Sequence, residues 1–129
     1  AVEAYRDALE ADGLSTYIVS GNWKNPDEVK AEIIKLNKRK PVLEGVVFIG
    51  DIPVALIRNA QHMTTAFKMN EDEFPFPESS VPSDRFYDDL HLTFDFICQD
   101  SVNTSHFYYK LREDSPQQLR PTFYSGRIK

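Results

Sequence analysis

The chain has 129 residues, 27% of them charged and 41% hydrophobic, with a formal net charge of -5. That length suits one domain with a real core, and the balance argues against general disorder. The acidic excess disfavours a nucleic-acid partner, because backbone recognition requires clustered positive charge.

Residues 1–12 read as a helix in which Val2, Tyr5 and Leu9 form one apolar stripe and Gly13 suits the left-handed stop. The run Tyr17-Ile18-Val19 within residues 14–20 reads as a buried strand ended by Gly21 and Asn22. Asn25-Pro26-Asp27-Glu28 is a strong helix start. Asn25 can cap free amides, Pro26 gives up an N–H that has no partner there, and Glu28 completes a capping box. Val29, Ile33 and Leu36 make the apolar stripe of this helix, widened by Ile34, and Pro41 prevents its continuation. The basic residues Lys35, Lys38, Arg39 and Lys40 fall at its end, where they complement the helix dipole.

Gly45-Val46-Val47-Phe48-Ile49-Gly50 is a continuous apolar run between glycines, the pattern of a strand covered on both faces. Strand, capped helix and strand in that order predict a βαβ unit with parallel pairing and a right-handed crossover. Val54–Arg58 and residues 63–68 read as short strands turned by Asn59-Ala60-Gln61, and residues 70–83 as an acidic, proline-rich loop. Residues 90–97 alternate, sending Leu90, Leu92, Phe94 and Phe96 to one face. His106–Leu111 is ambiguous between strand and helix, and residues 122–128 read as a last strand. The expected fold is an α/β three-layer domain around a mainly parallel sheet with added antiparallel strands, covering residues 1–129.

Candidate chemistry is sparse. Gly50-Asp51 follows the central strand, where ligands of open parallel sheets bind. Asp51 there suits a metal or a phosphoacceptor, or a simple turn bonding nearby amides. The segment Ser83-Asp84-Arg85-Phe86-Tyr87-Asp88-Asp89 gathers three acids, so Asp84, Asp88 and Asp89 are the metal candidates, with calcium the cation. It lacks EF-hand spacing, and a packed turn with Phe86 and Tyr87 inward explains it equally. Cys98, the one cysteine, cannot form an internal disulfide and reads as a small buried hydrophobe. His91, His62 and His106 lie in other settings, and nothing marks the thiol as activated. Asn103-Thr104-Ser105 fits the glycosylation acceptor pattern, which occurs often by chance. No stretch approaches the ~18 apolar residues of a membrane span, so no membrane partner is expected.

Several stretches, in order, resemble the gingipain-like cysteine peptidases, a caspase-related family of mostly secreted bacterial enzymes. Val2-Glu3-Ala4-Tyr5 through Gly13 resembles the family's first helix, and Asn25-Pro26-Asp27-Glu28-Val29-Lys30 the start of its second. Gly45-Val46-Val47-Phe48-Ile49-Gly50-Asp51-Ile52-Pro53 resembles its apolar strand with Gly-Asp and Ile-Pro. Pro82-Ser83-Asp84-Arg85-Phe86-Tyr87 resembles its Ser-Asp-x-x-Tyr segment, and Ser125-Gly126-Arg127-Ile128 its Gly-Arg strand. Residues 71–78 and 101–121 look longer than the family's segments.

The resemblance implies a caspase-like N-terminal subdomain, secreted or at the cell surface, belonging to a larger chain. It implies no catalytic residue here, since the family's histidine and cysteine follow the Gly-Arg strand. It also implies that the partner is the rest of the parent polypeptide, with peptide or protein substrate reached only through that part. Asp51, Asp84 and Tyr87 are the expected contacts with that half. Two other classes fit the same residues: a stand-alone calcium- or protein-binding module, and a receiver-like domain phosphorylated at Asp51.

Overall fold

The helix that Asn25 begins forms as the local chemistry dictates. In the computed structural model, which describes residues 1–58, Glu73 and residues 78–129, Asn25 is extended and its Oδ1 accepts from the Glu28 amide at 3.0 Å. Glu28 reaches back to the Lys24 amide at 2.7 Å, one residue earlier than in an ordinary capping box. Helix α2 (Pro26–Asn37) then buries Val29 and Ile33. Helix α1 (Val2–Ala11) also forms, and Gly13, at φ 91°, ends it in the left-handed region. Its stripe is not buried: Val2 and Tyr5 are exposed.

The strand expected over residues 14–20 is absent, and Tyr17, Ile18 and Val19 are 42–46% exposed. An apolar run becomes a strand only when a neighbour takes its amides and carbonyls. Strand β1 (Gly45–Ile49) takes β6 (Tyr124–Ile128) as its parallel partner instead, from Gly45 opposite Tyr124 to Ile49 opposite Ile128. The βαβ unit of residues 14–49 is therefore corrected. Parallel pairing is present, but it joins strands far apart in the chain.

A second sheet has the order β3-β2-β5-β4. Strand β2 (Val54–Arg58) runs parallel to β5 (His106–Leu111) and antiparallel to the short β3 (Val81–Pro82). Strand β4 (Phe94–Gln99) pairs antiparallel with β5, with a bulge between Phe96 and Cys98. The single, mainly parallel sheet expected from sequence is thus a two-stranded parallel sheet and a four-stranded mixed one. The predicted strand at residues 63–68, its turn at residues 59–61, His62 and half of the acidic loop over residues 70–83 lie outside the described residues, and the end of that loop forms β3.

Helix α3 (Arg85–Asp88) carries the centre of the core. Phe86 and Tyr87 are sealed with Ile57, Tyr109, Leu92 and Leu111, and the Phe86 ring lies 4.5 Å from Tyr109 and 5.1 Å from Phe94. Full burial of side chains of this size contributes about 1.5–3 kcal/mol each. The Tyr109 hydroxyl donates to Asp27 at 2.8 Å, tying α2 to β5. The alternation expected over residues 90–97 holds only in part, because β4 starts at Phe94 and lies at the sheet edge, leaving Phe96 56% exposed.

Two substitutions test this account by urea unfolding. Asn25→Ala should remove about 1 kcal/mol by uncapping α2, whereas Ile18→Asp should change stability by less than about 0.5 kcal/mol. A large loss from Ile18→Asp would mean that residues 14–20 are built into the core after all.

Candidate functional site

Among the described residues, a connected polar cluster lies where the two sheets meet α3. Arg127 projects from β6 into the protein, and its side chain is only 18% exposed. It grips Asp84 with two nitrogens, Nη2 to Oδ1 at 2.7 Å and Nε to Oδ2 at 3.2 Å. Its remaining donors reach the carbonyls of Ile52, at 2.8 Å, and Pro53, at 3.4 Å. Phe48 lies beneath it, 5.1 Å from guanidinium carbon to ring centroid. This planar fork suits a carboxylate plus carbonyls as no lysine would. Tyr87 closes the junction by donating to the Pro53 carbonyl at 2.6 Å, and burial raises the pKa of its hydroxyl so that it stays a donor.

Asp88 and Asp89, both fully buried, extend the cluster toward the chain's last segment. Asp88 Oδ2 accepts from Ser125 at 2.6 Å and pairs with Arg85, while its Oδ1 has no hydrogen-bond partner among the described residues. Burial pushes the Asp88 carboxyl above its usual range, opposed by Ser125 and Arg85. Asp89 accepts from the backbone amides of His91 at 3.2 Å and Arg120 at 2.7 Å. The Thr122 amide donates to the Asp88 carbonyl at 2.7 Å. Together these bonds hold residues 120–127 against α3.

The candidate residues therefore take definite places. Asp84, Asp88 and Asp89 are neighbours in sequence, but each carboxylate serves different protein donors. Among the described residues no group of three metal-ligating side chains comes together. Tyr87, expected to face another half of the protein, is sealed inside, because its ring fills the core and its hydroxyl is committed to Pro53. Asp51 is exposed in the turn after Gly50, whose φ of 87° permits that turn.

Cys98 lies within β4 opposite Tyr108, at the bulge, and is half-buried rather than fully buried. The adjoining hairpin loop is held by Asp100, which accepts from the amides of Val102 and Asn103 and from the Tyr108 hydroxyl at 3.1 Å. His106 there contacts Asn103 at 3.1 Å. His91 instead lines a shallow depression with Pro116, Gln117, Gln118 and Arg120. Neither histidine forms a hydrogen bond with Cys98. Sequence reading missed the role of Arg127, because its partners lie in other segments and β6 is itself only partly buried.

No protein-family model, curated protein or solved structure matches this chain.

Asp88 makes stability depend on pH in a defined direction. Its folded-state pKa is raised, so its contribution is fully present below the ordinary carboxylate pKa of about 3.9 and is lost as pH rises through the folded value. Unfolding free energies measured at several pH values should show the wild type losing stability relative to Asp88→Asn as pH rises. A difference constant with pH would remove the buried carboxyl from the account.

Proposed function

We propose that this chain is the non-catalytic N-terminal subdomain of a gingipain-like cysteine endopeptidase, supporting a catalytic half elsewhere in the parent polypeptide. One observation carries the reading. Three stretches that resemble the family's motifs, far apart in sequence, bond to one another at a single junction. Ile52 and Pro53 supply the carbonyls, Asp84 and Tyr87 an anion and a donor, and Arg127 the cation that joins them. A motif set serving such a junction has a physical reason to occur together.

The surfaces around the junction agree with a supporting role. Parallel sheets are ordinarily covered on both faces. The inner face of the β1–β6 ribbon carries Phe48, Ser125 and Arg127, while on the outer face Ile49, Tyr124 and Ile128 are 40–58% exposed. Under this reading the three-layer caspase-like architecture is completed by the catalytic half, which covers that outer face. Asp51, exposed at the end of β1, is the remaining candidate contact, with Asp84 and Tyr87 bracing the loop from beneath. The chemistry is acyl transfer by a thiolate paired with a histidine and stabilised by backbone amides, all supplied by that half. A secreted or cell-surface setting belongs to the same proposal.

The test is peptidase activity of this chain, wild type and Cys98→Ala, against a mixed peptide library with and without calcium. The reading predicts no cleavage above background from either protein. Turnover by the wild type that disappears in Cys98→Ala would overturn it, because the nucleophile would then lie inside this chain.

A further inference from the structure

The depression lined by His91 and Arg120 lies between the turn after α3 and the loop that leads to β6. Buried Asp89 sets those two residues side by side. Its Oδ1 accepts the His91 amide at 3.2 Å, and its Oδ2 accepts the Arg120 amide at 2.7 Å. The opposite wall, Pro116 to Gln118, is pinned through buried Ser115. The Ser115 hydroxyl accepts from the Thr93 amide at 3.0 Å and donates to the Pro116 carbonyl at 3.2 Å. The backbone around the depression is thus fixed, while the cationic side chain on its rim stays unpaired. Among the described residues Arg120 forms no ion pair, and its guanidinium makes one long bond, to Gln118 Oε1 at 3.4 Å. The His91 ring makes no hydrogen bond among them.

From this geometry we propose that the depression binds the phosphate monoester of a small molecule. The uncommitted groups are mainly donors: the guanidinium of Arg120, the imidazole N–H of His91 and the carboxamide N–H of Gln118. Such a set calls for an anion, and arginine keeps its charge throughout the working pH range. Asp89 does not compete for the guanidinium, because each of its oxygens already accepts a backbone amide. A carboxylate would be satisfied by the planar arginine fork alone. A phosphate group spreads three oxygens tetrahedrally and can also take the donors of His91 and Gln118. The depression, about 410 Å³, is larger than a phosphate group, and Pro116 offers an apolar wall to the carbon part of the ester.

The experiment titrates phenyl phosphate, inorganic phosphate and acetate separately into isotope-labelled protein at constant ionic strength, followed by amide NMR. Both phosphates should shift the amides of His91, Gln117, Gln118 and Arg120 together and saturably, phenyl phosphate at the lower concentration. Acetate should bind at least about tenfold more weakly than phenyl phosphate, as expected for the loss of a charge-assisted bond. Arg120→Gln keeps the amide that Asp89 holds, so its urea midpoint should not move, yet phenyl phosphate should bind about tenfold more weakly. His91→Asn should weaken binding in the same direction, and Arg6→Gln on α1 should leave it unchanged. Shifts scattered over the surface without saturation would mean an adventitious ion only and would overturn the proposal. So would acetate binding as tightly as phenyl phosphate, or full affinity in Arg120→Gln.

Discussion

The contact on which the arrangement depends is the grip of Arg127 on Asp84. Each sheet of this protein is small, and a two-stranded parallel ribbon has little stability of its own. What fixes β1 and β6 against the rest is a guanidinium that reaches across to α3 and to the carbonyls preceding β2. Both side chains are largely withdrawn from water, at 18% and 25% exposure. Water cannot easily replace a lost partner there, so removing one charge costs more than the pair contributes net. Tyr87, Ser125, Asp88 and Asp89 surround that grip with further bonds, and the same residues fill the core beneath it.

Local chemistry was legible where it was self-contained. Asn25, Pro26 and Glu28 announce α2 because their partners lie within four residues. Gly13 announces the end of α1 for the same reason. Residues 14–20 read wrongly because strand formation depends on an available neighbour, which composition does not reveal. The apolar run there is as good as the one in β1, yet β1 found β6, some 80 residues away in the chain. His106–Leu111 was ambiguous by period, and burial on both sides in the mixed sheet made it a strand.

The polar cluster was half legible. Asp84, Asp88 and Asp89 stand out as a group of acids, which suggests one shared ligand. The fold separates their tasks instead, because a short helix points successive side chains in different directions. Their counterparts, Arg127, Ser125 and the amide of Arg120, come from the end of the chain and leave no mark on the local pattern. The contact of Lys30 was hidden similarly: it lies beside the buried stripe of α2, and only the fold brings Phe86 and Phe94 against its amine. A protein built this way is braced at one junction and open on one apolar face.

The central claim is that Asp84 and Arg127 act as one unit in joining the two sheets. A double-mutant cycle with Asp84→Asn, Arg127→Gln and the pair, followed by urea unfolding, measures this directly. Each single change should cost about 3 kcal/mol, and the double change should cost less than the sum by about 1.5 kcal/mol or more. Losses that add within about 0.5 kcal/mol would mean that the two residues act independently, and the account of the junction would fail.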